Sequence, residues 1–131
     1  MSRDNHIIDG TATRQLRAVI CDDAEDGREL IADLLRARGH HVTTVGDGAA
    51  AVDAILHAKP DVAVIDIALP GLSGYDVARA VRAQLSKADV RLVALTGFGR
   101  AQDRSTAFAA GFDAHVTKPA TVDAILDAMF G

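Results

Sequence analysis

Beyond residue 16, short apolar runs alternate with segments of helical period, and this alternation constrains the fold more than any other feature. The first run, Ala18 to Asp22, predicts a strand. It is followed by a helix with Leu30, Ile31, Leu34 and Leu35 on one stripe, stopped by Gly39. His41 to Val45 predicts a second strand, and Asp47 caps a helix carrying Val52, Ile55 and Leu56 that Pro60 closes. Asp61-Val62-Ala63-Val64-Ile65-Asp66 is the clearest buried strand. After a loop from Ile67 to Gly74, Ser73 and Asp76 have capping-box spacing before a helix with Val77, Val81 and Leu85 inward. Val90 to Leu95 predicts the fourth strand. The weakly patterned stretch Arg100 to Ala110 predicts a helix relying on Ala107, Phe108 and Ala110, ended by Gly111. Ala114 to Thr117 is the last strand. Thr121 caps a final helix with Val122, Ile125, Leu126 and Met129 on one face.

Five strands and five helices joined by short connections imply parallel pairing with helices on both faces, a doubly wound α/β domain. The pattern leaves strand order open; the flavodoxin-like order 2-1-3-4-5 is the common solution at this size and is the expectation here. Residues 1–16 are polar and mixed, and read as a flexible leader outside a single domain at 17–131.

Composition excludes several classes. Twelve Val, 11 Leu, 8 Ile and 4 Phe suffice for one core in 131 residues, which rules out a disordered chain. No apolar run approaches the ~18 residues that span a bilayer, and the first residues lack a signal-peptide stretch, so no membrane role and a cytoplasmic location are expected. A net charge of −4 gives no electrostatic reason to bind nucleic acid directly. The single cysteine, Cys21, lies in an apolar run and reads as a core residue.

In an open parallel sheet, ligands bind beyond the carboxyl ends of the strands. Those ends deliver Asp22 and Asp23, then Asp66, then Thr96, then Lys118. Carboxylates converging at ~4 Å repel by about 4 kcal/mol per pair at an effective dielectric of ~20, which is relieved either by keeping one carboxyl protonated or by binding a cation. Oxygen ligands without Cys or a neighbouring His suit Mg²⁺ better than zinc. With an ammonium and a hydroxyl beside the ion, the rim becomes a phosphoryl site in which Asp66 is the nucleophile.

The segments Val19-Ile20-Cys21-Asp22-Asp23, Asp66-Ile67-Ala68-Leu69-Pro70-Gly71-Leu72-Ser73-Gly74, Leu95-Thr96-Gly97 and Lys118-Pro119, in that order and spacing, resemble a response-regulator receiver domain. This is the phosphoacceptor module of two-component signalling, and the resemblance covers about residues 16–131. It implies that Asp66 accepts a phosphoryl group from the phosphohistidine of a sensor histidine kinase or a histidine phosphotransfer protein. Asp22, Asp23 and Asp66 would hold Mg²⁺ together with the carbonyl of Ala68 and water. Thr96 and Lys118 would bind phosphoryl oxygens, the Lys118-Pro119 peptide would be cis, and phosphorylation would switch a surface that contacts a downstream protein. The resemblance implies no enzyme beyond self-catalysed transfer and slow autodephosphorylation.

Two departures from the family pattern carry expectations of their own. His115 stands three residues before Lys118, where the family usually has Tyr or Phe, which implies a weaker or pH-sensitive switch. Ala68 and Phe98 flank the path of an attacking water and neither orients one, which implies slow phosphoryl loss. His40-His41 reads as a solvent-exposed turn, and His57 as a polar helical face.

Three rivals fit less well. A Mg²⁺-dependent aspartyl-phosphate phosphohydrolase needs a second Asp where Ala68 stands. A nucleotide-binding module is opposed by Asp22-Asp23-Ala24-Glu25-Asp26, which repels phosphates. A non-phosphorylated receiver-like binding module would not need all five chemical residues. The last helix reaches Phe130-Gly131 without an output domain, so signalling through protein contact is the expectation.

Overall fold

The computed structural model of the chain describes residues 5–8, 11–97 and 101–131. In chain order the elements are β1 (Asn5–Ile8), β2 (Thr11–Arg14), β3 (Arg17–Cys21), α1 (Glu25–Ala37), β4 (His41–Val45), α2 (Gly48–Ala58), β5 (Val62–Asp66), α3 (Gly74–Arg82), β6 (Arg91–Thr96), α4 (Ala101–Ala110), β7 (Ala114–Thr117) and α5 (Val122–Phe130). Strands β3 to β7 form one parallel sheet in the order β4-β3-β5-β6-β7. Counting those five alone, this is the expected 2-1-3-4-5, a flavodoxin-like doubly wound (βα)5 sandwich.

Alternation along each central strand builds two cores. Val19 and Cys21, Ala63 and Ile65, and Leu92 and Ala94 face Ala51 and Ile55 of α2, Val77 and Val81 of α3, and Ala107 of α4. Their neighbours Ala18 and Ile20, Val62 and Val64, and Val93 and Leu95 face Leu35 of α1 and Ile125 and Met129 of α5. All five residues of β5 are buried, as a strand covered on both faces requires.

The caps read from the sequence form. Asp47 accepts from the N–H of Ala50, Thr121 accepts from Ala124, and Ser73 and Asp76 complete a capping box. Gly111 takes a left-handed φ of 117° directly after α4.

The packing corrects the sequence reading at three places. On α1 the inward residues are Ile31, Ala32 and Leu35, so Leu30 and Leu34 face outward at 59% and 40% exposure. On α4 the small Ala107 and Ala110 lie against the sheet and Phe108 is exposed; the aromatic that fills this core is Phe112, beyond the helix. His40 is buried rather than solvated, because its Nδ1 accepts the N–H of Leu16 at 3.0 Å and its ring lies against Phe130; His41 is exposed as expected. Ahead of the parallel sheet, Asn5–Ile8 pairs antiparallel with Thr11–Arg14, and Leu16 is packed with α1 and α5.

Candidate functional site

Parallel register brings the predicted residues to one rim. Cys21 is paired with Ile65, and Asp66 with Leu95, so Asp22, Asp66 and Thr96 leave adjacent strands at the same level. Thr96 is paired with Thr117, which places Lys118 one residue further along the rim. Asp22, Asp66 and Thr96 are buried, and Asp23 is exposed.

Each side chain is held by its own loop. Asp22 Oδ1 accepts the N–H of Ala24 at 2.9 Å, and Asp66 Oδ1 accepts the N–H of Ala68 at 2.9 Å. These short Asx turns fix both carboxylates before any ligand arrives. Lys118 Nζ donates to Asp66 Oδ2 at 2.5 Å and to Asp22 Oδ2 at 3.2 Å. The Lys118 N–H donates to the Thr96 carbonyl at 2.7 Å, and the Lys118-Pro119 peptide is cis. Carboxylate oxygens of Asp22, Asp23 and Asp66 all lie within 4.8 Å of one another.

The electrostatics follow from this crowding. Burial alone would depress the Lys118 ammonium, but hydrogen bonds and charge from Asp66, then from Asp22, outweigh it and hold it above the ordinary lysine value. Burial also pushes the Cys21 thiol up to about 12, with the charges of Asp22, Asp47 and Asp66 adding to the effect. Cys21 is therefore a neutral core group whose Sγ–H points to the Asp47 carbonyl.

Two supporting contacts were not read from the sequence. Arg28 Nη1 donates to the Asp22 carbonyl at 3.0 Å, tying the first turn of α1 to the end of β3. Gly74 lies against the backbone after Asp66: a Cβ there would meet the Asp66 carbonyl oxygen at 2.6 Å and Ile67 Cα at 2.7 Å. The glycine was visible in the loop; the close approach that requires it was not. His115 Nε2 lies 2.7 Å from Thr96 Oγ1. His57 is on an exposed face, its Nδ1 2.8 Å from the Asp53 carbonyl, away from the rim residues. Phe98, expected to flank the water path, lies outside the described residues.

The donor set fits a hard divalent cation: three carboxylates at one point, no thiolate, and an exposed side of the cluster at Asp23 for water. No helix among the described residues is long and apolar enough to cross a membrane.

Comparison with known proteins agrees with this geometry. The family model described as "Response regulator receiver domain" matches residues 18–130. The probable transcriptional regulatory protein TcrX of Mycobacterium tuberculosis is 35% identical over 108 residues, covering 82% of this chain and 45% of that protein. The DNA-binding response regulator MtrA of Mycolicibacterium smegmatis is 33% identical over 107 residues, covering 82% of this chain and 46% of that protein. The chain thus spans about half the length of these relatives. Among solved structures, the receiver domain of sensor histidine kinase PA1611 of Pseudomonas aeruginosa, with a magnesium ion coordinated in its active site cleft, matches with a TM-score of 0.78 at 29% identity, covering 88% of this chain and 94% of that one. Chemotaxis response regulator CheY4 of Vibrio cholerae shares the fold with a TM-score of 0.82 at 23% identity, covering 88% of this chain and 97% of that one. With the sheet order, the acidic rim and this match all in agreement, the chain belongs to the response regulator receiver domain family.

Proposed function

We propose that this domain takes a phosphoryl group onto Asp66 from the phosphohistidine of a sensor histidine kinase or histidine phosphotransfer protein, and signals through a protein-interaction surface. The observation that carries the reading is the Lys118 ammonium bridging Asp66 and Asp22 beside Thr96 at the carboxyl end of the sheet. Asp22, Asp23, Asp66 and the Ala68 carbonyl would hold Mg²⁺. Bound there, the ion neutralises charge between the carboxylate and the incoming phosphoryl oxygens.

The chain's own groups do the rest. The Asp66 carboxylate, its Oδ1 oriented by the Ala68 N–H, attacks phosphorus. A P–O bond forms as the P–N bond of the donor breaks, and the imidazole leaves with the electron pair. Lys118 transfers its hydrogen bond from the Asp66 carboxylate to a phosphoryl oxygen, and the Thr96 hydroxyl donates to another. The Ala68 methyl carries no group to orient a water, so the phosphoryl group is lost slowly and the domain turns over no substrate as an enzyme would. In this reading the protein acts in the cytoplasm. Its output contact lies on α4, β7 and α5, and its acidic balance favours a protein over a nucleic acid as the direct partner.

The test is intact-protein mass after incubation with acetyl phosphate, with and without Mg²⁺. One phosphoryl increment is expected with metal, and none without metal or in Asp66→Asn. A metal-independent adduct, or one retained in Asp66→Asn, would overturn the assignment.

A further inference from the structure

The three carboxylates of the rim are not held alike. Asp22 and Asp66 each accept the N–H of the residue two further on, and both accept from Lys118. Asp23 is exposed, and among the described residues its carboxylate has no hydrogen bond or ion pair. Its oxygen nevertheless lies within 4.8 Å of oxygens of the other two. That placement depends on the backbone, and the peptide leading into Asp23 has its carbonyl on Asp22. This carbonyl accepts from Arg28 Nη1 at 3.0 Å.

Arg28 is itself fixed in place. Its Nε donates to Glu29 at 3.0 Å, and its side chain is mostly buried. The guanidinium lies against Gly46, in the loop after β4, where a Cβ would meet Nη1 at 2.9 Å. Gly46 has no left-handed φ, so the absent side chain makes room for its neighbour and serves no dihedral need. Hydrogen bonds from Arg28, then from Thr44 of β4, hold the Glu29 carboxyl below the usual carboxylate range.

We propose that Arg28 is a positioning residue for the cation site: by holding the carbonyl of the Asp22–Asp23 peptide, it keeps the Asp23 carboxylate beside those of Asp22 and Asp66. The inference rests on the reading of this cluster as a Mg²⁺ site. Charge alone predicts the opposite sign. The guanidinium is near enough to offset part of the carboxylate effect on Cys21, so as a bare charge it repels a divalent ion and its removal tightens binding. Its hydrogen bonds go to a carbonyl and to Glu29, so, unlike Lys118, it occupies no oxygen of the rim carboxylates. Removing it frees no ligand and releases the peptide that carries Asp23.

The test is titration with Mg²⁺ alone, followed by backbone amide NMR. The proteins are wild type, Arg28→Met, Arg28→Lys, Gly46→Ala, Asp23→Ala, and Arg28→Met combined with Asp23→Ala. Arg28→Met is expected to bind Mg²⁺ about tenfold more weakly than wild type. Arg28→Lys keeps a donor and the charge, and should recover most of that loss. Gly46→Ala keeps the arginine but pushes its guanidinium aside, so weaker binding is expected there too. In the Asp23→Ala background, Arg28→Met should change affinity by less than about twofold, because the carboxylate it places is gone. Unchanged or tighter binding by a folded Arg28→Met, or an undiminished loss on top of Asp23→Ala, would overturn the positioning role while leaving the metal site standing. Should Arg28→Met not fold, Gly46→Ala decides, and wild-type affinity in that variant would overturn the role. Wild type that takes up no Mg²⁺ would overturn the metal reading and the inference together.

Discussion

Lys118 and Asp66 lie 52 residues apart in the chain and meet at 2.5 Å, with Asp22 accepting from the same ammonium at 3.2 Å. The lysine thus occupies charge space that a cation would otherwise fill, and the two compete for the same carboxylates. Replacing Lys118 with Met should tighten Mg²⁺ binding by about tenfold; the full ~4 kcal/mol of a charge pair at ~4 Å is cut down because the lysine is a third exposed. The same variant should lose about 100-fold in phosphorylation rate, having lost a donor to the transferring group. Magnesium titration and acetyl phosphate labelling of the two proteins check both halves, and weaker metal binding by Lys118→Met would contradict the competition.

The raised pKa of Lys118 has a consequence for alkaline stability. A lysine whose folded value exceeds its unfolded value contributes stability that is fully present below about pH 10.4, the unfolded value, and lost as pH rises through the folded one. Without metal, wild type should therefore lose more melting temperature than Lys118→Met between about pH 10 and pH 12. The difference between the two proteins isolates the lysine from other alkaline titrations. Parallel curves would show that the ion pair adds nothing to folding.

The sequence conveyed the sheet and the rim because both rest on local signals. A buried parallel strand such as β5 reads as an unbroken apolar run, and the polar residue after each strand is fixed by register once the strands are parallel. Helix rotation is less legible. On α1, Leu30 and Leu34 share the apolar stripe with Ile31 and Leu35, and only packing against the sheet decided that Ala32 turns inward in their place. His40 was read as part of an exposed turn, but its partner Leu16 lies 24 residues away along the chain. Contacts of that span leave no periodic trace.

Far from the rim, Arg82 joins four points at the other end of the sheet. It donates to the carbonyls of Gly111, Ser86 and Val90 and pairs with Asp113 at 2.7 Å, while Asp113 also accepts the N–H of Leu92. Both side chains are nearly buried, at 13% and 11% exposure. Arg82→Met should cost about 3 kcal/mol, since it strands a carboxylate and several carbonyls. Denaturant unfolding measures this, and Arg82→Met combined with Asp113→Asn should cost less than the sum of the single changes.

Cys21 should behave as a core residue and not as a reactive thiol. With its pKa pushed up to about 12 by burial and three carboxylates, the folded protein offers almost no thiolate near neutrality. Iodoacetamide at about pH 8 should label the unfolded chain and leave the folded one intact, because the unfolded thiol has a pKa of about 8.5. Rapid labelling of the native protein would contradict the burial of this strand.

The final prediction concerns Gly74, whose role is one of space rather than dihedral freedom. A methyl at this position would sit 2.6 Å from the carbonyl oxygen of Asp66 and 2.7 Å from Ile67 Cα, both backbone atoms that cannot rotate aside. The Gly74 N–H also donates to the Ile67 carbonyl at 3.0 Å, so the first turn of α3 is bound to the loop that carries the acceptor aspartate. Gly74→Ala should therefore displace that loop, destabilise the domain by about 2 kcal/mol and slow phosphorylation of Asp66. By contrast, Gly27→Ala, where a Cβ meets nothing within 4 Å on the exposed face of α1, should stabilise by up to about 1 kcal/mol. Thermal unfolding of the two variants checks the contrast, and equal effects would mean that the loop yields to the methyl group.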